Sequence, residues 1–186
     1  MAGAVQIVRD ACADWPRVVV VTSALSGVTN LLLDSAARAA EGDISQLPDA
    51  EQALLANHET IAISLIPDEA RRAQLMDEIG GLVRYFVELC SAIAVLGEST
   101  PRALDAVAGL GERMSMRLLA AACECAGVTA KAVEATELVI TNDRFQNAHP
   151  DFGATTFATR SVLNPLLEAG IVPVVTGFIG ATPQGV

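Results

Sequence analysis

Aromatic residues are scarce in this chain: Phe, Trp and Tyr together make up 4% of its 186 residues. The core must therefore be built from Ala, Val, Leu and Ile. The hydrophobic content of 52% supplies enough of them for one domain of this length. Charge is sparse as well, at 18%, yet such an apolar chain is not a disordered one. Lysine is almost absent, Lys131 being the only one. The net charge of −10 argues against a nucleic-acid partner or an acidic membrane surface. If the chain handles phosphate, arginines and helix N-termini must do most of that work. The four cysteines, Cys12, Cys90, Cys123 and Cys125, form no C-x-x-C pair. They are expected to be buried, reduced thiols rather than disulfides or metal ligands, as in a cytoplasmic protein. No apolar run approaches bilayer length, so no transmembrane helix is expected. The N-terminus lacks the basic flank and apolar stretch of a signal peptide.

The pattern alternates between helix and strand. Residues 1–13 read as a helix with Ala4, Val5, Ile7, Val8 and Ala11 facing inward. Arg17–Thr22 (RVVVVT) reads as a strand buried on both faces. The small-residue turn SALSG follows, then a helix capped by Thr29 or Asn30 and closed by Gly42. Residues 43–126 read as a helical excursion. Pro48 opens one helix. Leu75, Ile79, Leu82, Val83, Phe86, Leu89, Cys90 and Ile93 form the apolar stripe of another. Thr100-Pro101 caps a third, which Gly127 ends. Val128–Val133, Thr136–Asp143 and Ile171–Phe178 read as strands, with a helix over Thr155–Ala169. This order predicts a three-layer α/β/α sandwich with a mainly parallel sheet. No internal repeat or linker divides the chain.

Four segments can carry chemistry. In TSALSGVTN, residues 22–30, a strand ends in small and hydroxyl residues before a helix N-terminus. Ser23, Ser26 and Thr29 stand where open α/β sheets gather ligands and where anions find free N–H groups. An ordinary capped helix explains the segment equally well. In GLGERMS, residues 109–115, two glycines precede Glu112. Its carboxylate either meets a ligand ammonium beside a flexible break or sits on a helix surface near an N-terminus. The polar loop VITNDRFQNAHPDFG, residues 139–153, offers Asn142, Asp143, Arg144, Asn147 and His149, for ligands or for turns alone. In VVTGFIGATPQG, residues 174–185, Gly177, Gly180 and Gly185 can flank a nucleotide or simply turn the chain. His149 is expected to be exposed. His58 is expected on a helix surface. No triad and no metal cluster emerges.

Taken together and in order, VVVVTSALSGVTNLL, GERMS with LLAAA after it, TNDRFQNAHPDF and VPVVTGFIGATPQG resemble the aspartate kinase family, within the amino-acid-kinase fold. The resemblance spans nearly the whole chain. It implies phosphoryl transfer from ATP, with Mg²⁺, to the β-carboxylate of L-aspartate, giving 4-phospho-L-aspartate on the route to lysine, threonine and methionine. It places Thr29, Glu112 and Ser23 at substrate-binding positions. Glu112 would take the α-ammonium and Thr29 a carboxylate. Asn142, Asp143 and Arg144 are pocket candidates, and Gly177 and Gly180 lie toward the nucleotide. The family's K-F-G-G-T-S strand, with its lysine, and its T-T-T-L-G-R-G-G-S-D segment are not among these residues. The resemblance therefore implies a partial catalytic domain over 1–186, with weak activity of its own. It also implies a cytoplasmic homo-oligomer. Two alternatives are a non-catalytic assembly subdomain using the apolar helices of 68–126, and a related amino-acid kinase with another carboxylate substrate.

Overall fold

The computed structural model describes all residues, 1–186. Helix α1, Ala2–Asp14, turns Val5 and Val8 into the core. Ile7, expected inside, is 70% exposed, because two residues along a helix is more than half a turn from Val5. Strand β1 is shorter than expected, only Val20–Thr22. It is not buried on both faces either, since Val21 is 67% exposed. The reason is its place at the sheet edge.

Helix α2, Val28–Ala40, begins after Gly27 in a left-handed conformation with φ of 81° and has no side-chain cap. Thr29 is thus the second residue inside the helix rather than its cap. The left-handed Gly42 ends it as expected, its N–H on Ala39 O at 2.9 Å and the next N–H, of Asp43, on Arg38 O at 3.0 Å. Helix α3, Leu47–Leu65, has Pro48 in its first turn. Helix α4, Glu69–Leu96, is capped by Asp68, which accepts from Arg71 N at 2.7 Å. Helix α5, Pro101–Cys125, is capped by Thr100, which accepts from Ala103 N at 3.2 Å.

These four helices enclose an apolar cluster around Phe86, Leu32, Leu54, Leu75 and Leu110, all fully buried. Contrary to the reading of apolar runs, α4 is long and apolar enough to cross a membrane by length and composition alone. Its stripe Leu75, Ile79, Leu82, Val83, Phe86, Cys90 and Ile93 is instead packed in this cluster against α2, α3 and α5. The sequence reads 28 residues of mixed polarity, and only the helical period separates its two faces.

His58 is fully buried, not on the surface. It lies on the stripe Leu47, Ala50, Leu54, His58, Ala62 by which α3 meets the core. Its Nδ1 is 2.7 Å from Leu54 O. A carbonyl only accepts, so Nδ1 carries the proton and Nε2 is a buried lone pair without a partner. Burial lowers the His58 pKa from its ordinary 6.5. The unfolded chain then binds the extra proton first, so stability is lost as pH falls below about 6.5. Glu112, raised by burial, contributes with the opposite sign. The difference between wild type and His58→Met isolates the histidine: thermal melts from pH 7.5 to 5 should show a steeper acid loss in wild type. Parallel profiles would refute this.

The rest of the chain completes the sheet. Strands β2, Ala130–Val133, and β3, Val172–Thr176, join β1 in the order β1-β3-β2, all parallel. β3 is central and buried along its whole length, as its run of Val predicts. On one face, Val174 packs with Val5 and Val8 of α1 and with Met116, Leu119 and Cys123 of α5. On the other, Val175 and Val133 pack with Leu163 of helix α6, Phe152–Glu168. The three layers expected are present. α6 covers β2 and β3 and leaves Val21, the register partner of Val175, open.

The strand expected over Thr136–Asp143 does not form. A 3-10 turn, Ala135–Glu137, replaces its start, and only single bridges, Ile140 with Ala181 and Thr141 with Pro150, follow. Pro150 has no N–H with which to extend a ladder. Among the cysteines, Cys90 and Cys123 are buried, and burial pushes both thiols up to about 11. Cys125 is exposed and Cys12 half-buried, so the expectation of four buried thiols holds for two.

Candidate functional site

β1 and β3 end side by side, with Thr22 in register with Thr176. The ladder gains one more bond, Gly177 N to Thr22 O at 2.9 Å, before the two chains diverge. Glu112 stands beneath this exit. Its Oε1 accepts from Ala24 N at 3.1 Å. Its Oε2 lies 3.2 Å from where a side chain on Gly177 would begin, and Ser23 Oγ lies 3.6 Å from the same point. A carboxylate, a hydroxyl and a glycine from three parts of the chain thus share one small space, and only glycine leaves it open.

Helix α5 is unbroken through residues 109–115, and Glu112 lies in its middle. Neither a flexible break nor a helix N-terminus explains it. The glycines serve packing instead. A Cβ on Gly111 would stand 2.9 Å from Ala24 Cβ and 3.1 Å from Val28 Cγ1, and one on Gly109 3.3 Å from Ile179 Cγ2. Gly111 lets the start of α2 and the loop after β1 lie directly on α5. This brings Ala24 to Glu112.

Glu112 is 8% exposed, and its Oε2 has no hydrogen-bond partner. Burial raises its pKa, while the Ala24 N–H bonded to Oε1, and the nearby N–H of Gly177 that is itself bonded to Thr22 O, oppose the rise. A buried carboxylate with one free oxygen is a receptor for a cation of matching size. The start of α2, bearing Thr29, flanks it. With Gly27 as cap and no acidic residue in the first turn, the N–H groups of Thr29 and Asn30 find no acceptor within the protein. Free donors at a helix N-terminus suit a carboxylate or a phosphate. The site thus offers a carboxylate suited to a cation and free N–H groups suited to an anion.

The loop residues are placed apart from this pocket. Asn142 folds its own loop, Oδ1 accepting from Arg144 N at 3.3 Å and His149 N at 3.1 Å. Asp143 and Arg144 are exposed. The loop docks on the first turns of α5 through Gln146 N to Asp105 Oδ2 at 2.7 Å and Arg102 over the Phe145 ring at 6.0 Å. Asp105 lies about 10 Å along the helix from Glu112. His149 is exposed, as expected. Gly180 answers a contact inside the protein, since a Cβ there would stand 2.8 Å from Val139 O. Phe178 beside it is 99% exposed, with φ of 51°. Sequence reasoning passed over Thr176, Arg113, Arg117 and Glu134, whose polar contacts span β3, α5 and the end of β2. No local pattern announces such pairs.

An α/β layer structure with a buried carboxylate at the strand ends suits a small-molecule kinase, and the amino acid kinase family model matches residues 1–186, so the chain belongs to that family. Among its relatives are aspartokinases: that of Schizosaccharomyces pombe is 28% identical over 91% of this chain, and that of Saccharomyces cerevisiae 31% identical over 97%. The chain spans 34% and 37% of those proteins' lengths. Two crystal structures of Escherichia coli aspartokinase III superpose on 98% of the chain, which covers 39% of each. The form with lysine and aspartate gives a TM-score of 0.82 at 28% identity, and the form with aspartate and ADP gives 0.80 at 29%.

Proposed function

We propose that this chain forms the amino-acid-holding part of an aspartokinase. The reaction is attack of the β-carboxylate of L-aspartate on the γ-phosphorus of ATP. The bond to the ADP oxygen breaks, leaving 4-phospho-L-aspartate and ADP. The observation that carries the reading is the buried, unpartnered Oε2 of Glu112, a seat for the substrate's α-ammonium. The free N–H groups of Thr29 and Asn30, with the Thr29 hydroxyl, face the requirements of a substrate carboxylate. Ser23, just after β1, has its Oγ beside the room that Gly177 leaves, which suits a position where substrate and phosphate would meet. The likeness to an aspartokinase crystallised with aspartate and ADP supports both ligands. The pocket candidates Asn142, Asp143 and Arg144 serve by shaping the outer loop. A cytoplasmic homo-oligomer is part of the same proposal.

No three His, Cys, Asp or Glu side chains come together in a metal-holding cluster, so a magnesium ion would be held largely by the nucleotide's phosphates. Transfer between two anions needs cationic stabilisation. The single lysine does not supply it: Lys131 pairs with Pro173, at the opposite end of the sheet from Gly177. The 186-residue chain should therefore bind L-aspartate yet release ADP slowly, below about 1 s⁻¹, the low end of ordinary enzymes. Calorimetric titration with L-aspartate and a coupled ADP assay measure both. Absence of any heat with aspartate would favour an assembly subdomain instead. Heat with glutamate but not aspartate would favour a related kinase.

A further inference from the structure

One set of part-buried polar contacts has no part in the chemistry above. Glu134, just after β2, is gripped by two arginines of α5. Arg113 Nε donates to both carboxylate oxygens, at 3.1 and 3.0 Å, and the terminal guanidinium nitrogen of Arg117 donates to Oε1 at 2.7 Å. Arg117 also donates to Arg113 O at 2.9 Å and lies 3.8 Å from Glu78 on α4. The next residue, Ala135, donates its N–H to Thr176 Oγ1 at 2.8 Å. That hydroxyl is the only polar side chain of the buried strand VPVVT.

These contacts close a ring. Glu112 is bonded to Arg113, which holds Glu134. Glu134 is bonded to Ala135, which donates to Thr176. Thr176 is bonded to Gly177, which lies beside Glu112 Oε2 with no hydrogen bond to it, its own N–H donating to Thr22 O, so the last link is one of close approach. Every second link is a peptide bond, so the free play left between Gly177 and Glu112 is that of two hydrogen-bonded contacts. We propose that this ring is a positioning device in which Thr176, Glu134 and Arg113 hold Gly177 against the Glu112 carboxylate and so set the width of the pocket that receives a ligand ammonium.

Two observations favour this over a purely structural role. A valine would fill the Thr176 position in a strand of valines equally well, yet the residue is one whose hydroxyl fixes the turn that carries Glu134. The arginine that grips Glu134 is also the neighbour in sequence of Glu112, so the grip is transmitted without an intervening flexible residue. The ammonium role rests on the aspartate reading above, whereas the mechanical link between Thr176 and Glu112 does not.

Thr176→Val keeps the shape and removes only the acceptor, while Thr176→Ser keeps the acceptor. The Glu112 side-chain carboxyl, followed by carbon-13 NMR in the ligand-free chain, reads the link directly. Thr176→Val should raise its midpoint by about half a unit or more, because a retreating Gly177 N–H no longer favours the charged form. Thr176→Ser should titrate like wild type, and Glu134→Gln should move in the same direction as Thr176→Val. The dissociation constant for L-aspartate should rise about five- to tenfold in Thr176→Val and return in Thr176→Ser, the loss expected for one hydrogen bond in the pocket wall. A midpoint and an affinity unchanged in both Thr176→Val and Glu134→Gln, whatever their melting temperatures, would overturn the proposal. A midpoint that moves in a chain that binds no aspartate would uphold the ring and refute the aspartate reading.

Discussion

Glu112→Gln should weaken L-aspartate binding by about a hundredfold or more. Removing the charged partner of a buried ion pair costs roughly 2–5 kcal/mol, and each 1.4 kcal/mol is a factor of ten. The amide keeps the side-chain shape, and its oxygen still accepts from Ala24 N, so the loop after β1 stays in place. Stability should not fall. Replacing a buried carboxylate that has one unpartnered oxygen by a neutral group removes a desolvation penalty, so the melting temperature should hold or rise. The pH dependence follows the same physics. The Glu112 pKa is raised above its ordinary 4.5, and wild-type affinity is full where the carboxyl is ionised, above that raised value. It declines as pH falls through that raised value, where protonation removes the charge. Glu112→Gln should show no such decline. Calorimetry between pH 8 and 5 on both proteins tests this. Affinities within threefold of each other at pH 7.5 would mean that the ammonium is held elsewhere.

A large stability loss is expected at Gly111. A valine there would place its Cβ 2.9 Å from Ala24 Cβ and 3.1 Å from Val28 Cγ1, with two further methyls beyond. Ala24 Cβ is fixed to backbone and cannot swing aside, so α2 and the loop before it must shift off α5. Overpacking of this kind costs about 1–3 kcal/mol, and a β-branched residue adds no helix propensity large enough to offset it. The melting temperature should fall by about 4–10 °C for a chain of this size. Gly111→Ala should be milder, because alanine gains about 1 kcal/mol of helix propensity over glycine against a smaller clash. Gly111→Val should also weaken aspartate binding, since the shift carries Ala24 N away from Glu112 Oε1. Thermal melts and calorimetry on the two variants rank these effects. A Gly111→Val protein as stable as wild type would show that this close approach is not needed.

Much of the architecture was legible in the residues. β3 is a run of valines bounded by glycines and is buried as such a run should be. The α4 stripe, the Thr100 cap and the left-handed Gly42, Gly127 and Gly170 follow from local chemistry. The misreadings share a cause. Val21 is as apolar as Val175, yet one lies open and the other buried, because strand order places β1 at an edge beyond the reach of α6. His58 is polar by type and buried by position, since a helical period puts it on the α3 stripe. The stretch after Glu137 has the composition of a strand, but its partners are a proline and a turn.

The same division holds for the pocket. GERMS and TSALSGVTN could be marked as carrying chemistry because carboxylates, hydroxyls and glycines before a helix are chemically distinctive wherever they occur. That Glu112 is buried, keeps one oxygen unpartnered and meets Ala24 N across 88 residues of chain is a property of helix packing. So is the exclusion of Asn142, Asp143 and Arg144 from that meeting, since their loop docks on an earlier turn of α5. Amino-acid sequence determined the elements, the caps and the kinds of reactive group, because those depend on neighbours a few residues away. Which of the groups share a cavity, which carboxylate loses its water and which apolar face stays open were decided only by tertiary structure. Desolvation and convergence depend on segments that lie far apart along the chain.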